Sequence, residues 1–138
     1  MVDLFKLKFT MNINWSGIFP AVTTKFTADD QIDYEAFDKN LDAQLEAGVN
    51  GFVLGGTLGE AAVLSEEEKY ELLAHTLKHV NGAVPVLLNV AEATTKNAIK
   101  CAQRAESLGA AGLMLLPPMR YYGDEDEIFA YFSAIAES

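Results

Sequence analysis

The chain alternates between two hydrophobic periods, and this alternation limits its possible folds more than any other feature. Residues 17–23 (GIFPAVT), 51–54 (GFVL), 84–90 (VPVLLNV) and 112–116 (GLMLL) are short apolar runs with the composition of buried strands. After each run, apolar residues recur in steps of three and four, which puts them on one stripe of a helix. Residues 33–46 place Tyr34, Phe37, Leu41 and Leu45 on such a stripe, with Asp33 as N-cap and Gly48 as stop. Residues 65–80 open with Ser65 and Glu68 in capping-box spacing and turn Leu73, Leu77 and Val80 inward. Residues 94–108 turn Ile99, Ala102, Ala105 and Leu108 inward and end at Gly109. From residue 124 a fourth helix is expected, capped by Asp124 and Glu127, with Ile128, Phe129, Phe132 and Ile135 as its apolar face.

Strand and helix thus follow one another four times, which predicts an α/β fold: a parallel sheet covered by helices. Residues 47–54 (AGVNGFVL) echo 108–115 (LGAAGLML), as a repeated unit would, although any short helix-to-strand loop favours glycine at the helix end. Pattern alone leaves two architectures open, a doubly wound sheet and part of a barrel. The residues after the first strand, Thr23-Thr24-Lys25-Phe26, lack the glycine fingerprint of dinucleotide-binding folds.

Half of the 138 residues are apolar and 22% are charged, the balance of a folded domain. The net charge of −10 repels phosphate backbones and anionic lipids, so neither nucleic acid nor membrane is an expected partner. Cys101 is the only cysteine, which precludes an internal disulfide and a cysteine-based metal site and suits a cytoplasmic protein. Residues 1–14 hold no apolar run long enough for a signal-peptide core and read as an N-terminal extension or an expression remnant, with Met11 a second possible start. The domain is expected over residues 15–138.

The segment richest in chemistry is Gly55-Gly56-Thr57-Leu58-Gly59-Glu60. It follows the second predicted strand, at the end of a parallel sheet where ligands bind. Three glycines allow a sharp turn and close backbone approach, and consecutive N–H groups in such a turn form a concave anion site. Thr57 adds a hydroxyl able to pass a proton. The plainer reading is a tight connecting loop. A phosphate-binding Walker loop does not fit, because no lysine follows the last glycine.

Gly56-Thr57-Leu58-Gly59-Glu60 resembles the Gly-Thr-Thr-Gly-Glu signature of the dihydrodipicolinate synthase and N-acetylneuraminate lyase family. Residues 17–24 are similar to that family's first strand, 64–68 to the segment opening its second helix and 84–86 to its third strand. Residues 117–122 (PPMRYY) stand where the family has Pro-Tyr-Tyr, and the resemblance runs from about residue 15 to 138. It implies a (β/α)8 TIM barrel, usually a homotetramer, in which a lysine at the end of strand six forms a Schiff base with pyruvate or another 2-oxo acid. No metal or organic cofactor is implied. By the same resemblance Gly56, Thr57, Leu58 and Gly59 bind the substrate carboxylate through the backbone, and the Thr57 hydroxyl joins a proton relay with tyrosines.

Three departures from the family pattern shape the expectation. Leu58 replaces the second threonine, so a backbone contact survives there and a hydroxyl contact does not. In 117–122 an ungapped reading puts Met119 and Arg120 in the tyrosine positions, and a two-residue shift puts Tyr121 and Tyr122 there. Tyr121 is then the candidate relay tyrosine and Arg120 a candidate partner for a second substrate carboxylate. Finally, the chain ends in its fourth helix, ahead of the strands that carry the family's remaining relay tyrosine and its lysine. The expectation is the N-terminal half of a barrel, a piece of a longer enzyme that is inactive alone. Leu58 and the altered tyrosine segment place the reaction nearer the relatives that deaminate a hydroxypyrroline carboxylate or dehydrate deoxy sugar acids. The other expectation is a half barrel that pairs with a second copy and binds a carboxylate without catalysis.

Other chemistry-bearing residues carry plainer readings. His75 and His79 have a zinc-compatible spacing, but Thr76 stands where a metalloprotease has glutamate, and both lie away from the Leu73 and Leu77 stripe, so they read as surface residues. Glu66, Glu67 and Glu68 complement a helix dipole. Lys25 is the one lysine expected near the glycine loop and reads as solvated, whereas Lys96 and Lys100 lie within a helix. Cys101 reads as a small core residue.

Overall fold

The computed structural model describes residues 13–120 and 122–138. Along the chain it contains α1 (Tyr34–Glu46), β1 (Phe52–Leu54), α2 (Glu66–Val80), β2 (Val86–Val90), α3 (Thr95–Leu108), β3 (Gly112–Leu115) and α4 (Glu125–Ala136). Each helix begins where a side chain satisfies its first free N–H groups. The Asp33 carboxylate accepts from the Ala36 N–H at 2.9 Å, and the Thr94 hydroxyl from the Asn97 N–H at 3.2 Å. Ser65 with Glu68, and Asp124 with Glu127, form reciprocal capping boxes. Helices α2 and α3 end on left-handed residues, Asn81 and Gly109.

The sheet is parallel, in the order β1-β2-β3. Phe52 faces Val86, and Leu87 faces Gly112. The strand expected over 17–23 is reduced to a single parallel bridge, Ala21 to Val53. Its hydrogen bonds are Val53 N–H to Pro20 O and Val22 N–H to Val53 O, both 2.9 Å, with Asn50 N–H to Ile18 O at 2.8 Å. The ladder stops on one side at Pro20, which has no N–H to offer the Gly51 carbonyl. On the other side it stops where Gly55 turns the chain away with a φ of 63°. Three strands rather than four are therefore formed among the described residues, with the first segment lying alongside β1.

The helices α1, α2 and α3 share one face of the sheet. Phe37 and Leu41 of α1, Leu72 and Leu73 of α2 and Ala105 of α3 form one cluster with Phe52, Leu54, Val86 and Leu88 of the strands. A second cluster joins Val90, Ala98 and Ala102 to Tyr131 and Ile135 of α4. Val53, Leu87, Asn89 and Met114, placed by register and alternation, make up the opposite face. Two predicted core positions are corrected: Leu108 is 38% exposed and Phe129 73% exposed, whereas Ala98 and Tyr131 are buried. Leu108 lies ten residues beyond Ala98, about 80° round the helix, and Phe129 is about 200° from Tyr131. Of the predicted extension over 1–14, residues 1–12 lie outside the described residues.

Candidate functional site

β1 delivers its C-terminal end directly into the glycine loop. Gly55 and Gly56 are buried, whereas Thr57 and Leu58 are exposed. The loop folds onto itself through Gly59 N–H to Gly56 O at 3.0 Å, Glu60 N–H to Thr57 O at 3.1 Å and Ala61 N–H to Gly56 O at 3.3 Å. The N–H groups of Gly56, Thr57 and Leu58 have no acceptor among the described residues. Consecutive free N–H groups in a turn concentrate positive potential and suit an anion such as a carboxylate.

Two side chains, buried Thr24 and half-buried Asn89, hold the loop from below. The Thr24 hydroxyl, 4% exposed, donates to Gly59 O at 2.7 Å. The Asn89 amide nitrogen of β2 donates to Gly55 O at 3.0 Å. That bond fixes the amide orientation and leaves the buried Asn89 Oδ1 without a partner among the described residues. Neither residue was singled out by sequence reasoning. Their type carried no signal, and only the parallel register of β1 and β2 brings Asn89 to the loop.

Beside the loop lies a cleft of ≈ 440 Å³ whose lining includes Thr57, Glu60, Lys69, Asn89, Glu92 and Met119. It sits where β1, β2 and β3 end. Of the sequence-predicted residues, the cleft brings together Thr57 and Met119. Arg120 is exposed and does not line it, and Tyr122 is 96% exposed. Tyr121 lies outside the described residues. Lys25 is half-buried and away from the cleft, whereas Lys69, on the first turns of α2, reaches it. A larger cleft of ≈ 840 Å³, between Trp15, the start of β3 and the end of α4, lies at the other end of the strands.

Two neutral titratable groups, Tyr70 and Cys101, also line the smaller cleft. Burial, and after it the neighbouring Cys101, pushes the Tyr70 phenol above its usual range. Burial likewise raises the Cys101 thiol, so that it stays protonated at neutral pH. Half-buried Cys101 neighbours Tyr70 at the edge of the cleft and, as its sequence position suggests, packs against the core cluster of Val90, Ala98 and Ala102. Arg104 stacks 4.0 Å over the Tyr70 ring and holds Glu67 through two hydrogen bonds, which ties α2 to α3 behind the site.

His75 and His79 are not surface residues in the sense expected. Each side chain is about a quarter to a third exposed, at 30% and 24%, and faces α1. The helical wheel of α2 marks only the stripe facing the sheet and does not show that α1 covers a second side.

The sequence profile of the dihydrodipicolinate synthetase family matches residues 14–138. The 4-hydroxy-tetrahydrodipicolinate synthase of Kosmotoga olearia is 36% identical over 122 residues, 88% of this chain and 41% of that protein. The Bacillus subtilis synthase is 33% identical over 124 residues, 90% of this chain and 43% of its own length. Among solved structures, the E. coli K12 prophage protein YagE of the dihydrodipicolinic acid synthase family, in complex with pyruvate, superposes with a TM-score of 0.83. That match is at 32% identity and covers 89% of this chain and 41% of YagE. The chain spans about two fifths of the length of the relatives it matches.

Proposed function

The chain belongs to the dihydrodipicolinate synthetase family, and on that footing we propose that it supplies the carboxylate-binding part of a (β/α)8 lyase acting on pyruvate or a related 2-oxo acid through a lysine Schiff base. The observation that carries this reading is the glycine loop: within a family match over residues 14–138, it presents three consecutive free N–H groups at the strand ends.

The one-sided packing of α1, α2 and α3 supports the barrel. A doubly wound sheet places helices on both faces, whereas a barrel keeps them all outside and leaves the other face for its interior.

In this reading the substrate carboxylate sits on the N–H groups of Gly56, Thr57 and Leu58. Leu58 contributes only its backbone, so its exposed side chain is free to meet the rest of the substrate. The Thr57 hydroxyl, exposed into the cleft, relays a proton during imine formation. It acts with Tyr121, whose place in the relay rests on the resemblance. Arg120 answers a second carboxylate if the substrate carries one. The lysine belongs to the part of the relatives that this segment does not span. Its amine attacks the 2-oxo carbon, water leaves, and the protonated imine draws electrons from the adjacent carbon, which permits aldol, dehydration or deamination chemistry. These 138 residues alone are then inactive.

The test is to incubate the purified full-length protein with pyruvate and borohydride and to weigh it. A reduced pyruvyl adduct on a lysine outside these 138 residues is expected. No adduct under conditions that trap an established family member, or an adduct confined to Lys25 or Lys69, would overturn the reading.

A further inference from the structure

On the outer side of the helical layer, two pairs of side chains face each other. Asp38 and Asp42 are one turn apart on α1, and His75 and His79 are one turn apart on α2. A spacing of four residues aligns each pair on one side of its helix. His75 Nε2 lies 2.7 Å from Asp38 Oδ1, His79 Nδ1 lies 3.4 Å from Asp38 Oδ2, and His79 Nε2 lies 2.7 Å from Asp42 Oδ1. One ligand atom each from Asp38, His75 and His79 lies within 4.8 Å of the others. The imidazoles are nearly parallel, at 14°, and the Tyr34 ring sits 4.4 Å from His75. None of the four residues lines the cleft at the strand ends.

We propose that Asp38, His75 and His79 form a binding site for a divalent transition-metal ion such as zinc, with Asp42 as the outer residue that orients His79. Imidazole nitrogen with a single carboxylate suits zinc and its first-row neighbours, whereas magnesium and calcium prefer all-oxygen sites. Tetrahedral zinc with bonds of about 2.0–2.1 Å sets its ligand atoms about 3.3 Å apart. His79 Nδ1 lies at about that distance from Asp38 Oδ2, whereas His75 faces the other carboxylate oxygen, so a modest rotation of the Asp38 carboxylate brings one oxygen to both imidazoles. The His75–Asp38 hydrogen bond must open by several tenths of an ångström as the ion replaces its proton.

Asp42 accepts from His79 Nε2–H, which fixes the tautomer and leaves the Nδ1 lone pair for the ion. This is the carboxylate–histidine–metal arrangement of established zinc sites. The partly exposed side chains leave a fourth position to water, so the ion exchanges with solvent. The net charge of −10 draws cations to the molecule.

Calorimetric titration of the chelator-treated protein with zinc chloride tests the proposal. One zinc ion per chain is expected, with magnesium chloride giving no binding. His75→Gln and His79→Gln should each weaken zinc binding about tenfold or more, and Asp42→Asn should weaken it about tenfold through the lost orientation of His79. The unaltered protein provides a second reading. Its two histidines within these residues can be followed by their imidazole nitrogen resonances, and zinc should shift both at one equivalent. No zinc binding by the unaltered protein, or binding that leaves both imidazoles unshifted, would overturn the site and leave the four residues as an interhelical clasp only.

Discussion

Gly59 sets the tightest constraint in the glycine loop. A Cβ there would stand 2.9 Å from the Val22 carbonyl oxygen and 3.3 Å from the Gly55 nitrogen, both backbone atoms that cannot step aside cheaply. Gly59→Ala is expected to shift the loop away from the 18–22 segment, weaken the Thr24 bond to Gly59 O and tilt the free N–H groups. Overpacking of this kind costs about 1–3 kcal/mol, so the variant should melt several degrees lower. On the proposed function, the KM of the full-length variant for a 2-oxo acid should rise more than its kcat falls, as checked by steady-state kinetics. At this scale the sequence was informative where one residue type answers one geometric demand, as at Gly55 and Gly59. It was silent on Thr24 and Asn89, whose role is to hold a carbonyl oxygen on another segment. Nothing in an isolated threonine or asparagine shows which distant carbonyl it will meet. The pairing of β1 with β2 decides that.

Element by element, helix starts were the most legible part of the fold, because a cap is a contract between residues three apart. Asp33, Ser65 and Asp124 cap as their positions predict, and Thr94 caps α3 in the same way. Ser65→Ala would leave the Glu68 N–H without its side-chain acceptor, and loss of such a cap costs about 1 kcal/mol. Thermal unfolding should register a drop of a few degrees without a change in substrate affinity, since Ser65 lies outside the cleft. Contacts between elements were less legible. The first strand shrank to one bridge because Pro20 lacks a donor, an effect visible only once its neighbour and register are known. His75 and His79 were placed by a wheel that contains α2 alone, whereas their partners, Asp38 and Asp42, are supplied by α1. The drift of Leu108 out of the core has the same origin: the sheet selects which part of a broad apolar stripe it covers.

For the whole molecule, the question is what covers the face of the sheet opposite the helices. Val53, Leu87, Asn89 and Met114 lie on that face, and Leu87 and Met114 are only partly buried by the described residues. An apolar sheet face and the open edge of β3 do not persist in water uncovered. On the barrel reading both are closed by the remaining strands, and Leu87 points into a packed interior. Leu87→Lys in the full-length protein separates the alternatives. If the face is a barrel interior, the ammonium group enters a site without water or a counter-ion, and the cost is on the order of 3 kcal/mol or more. A depression of the melting temperature of roughly 10 °C or more, or failure to fold, is then expected. If the face meets water, the lysine stem lies along it with its charge solvated and the melting temperature stays within a degree or two. Leu58→Lys serves as the comparison, because Leu58 is 67% exposed beside the cleft. Its replacement should leave stability almost unchanged under either architecture, so a large loss at residue 87 alone would locate the cost in the sheet interior.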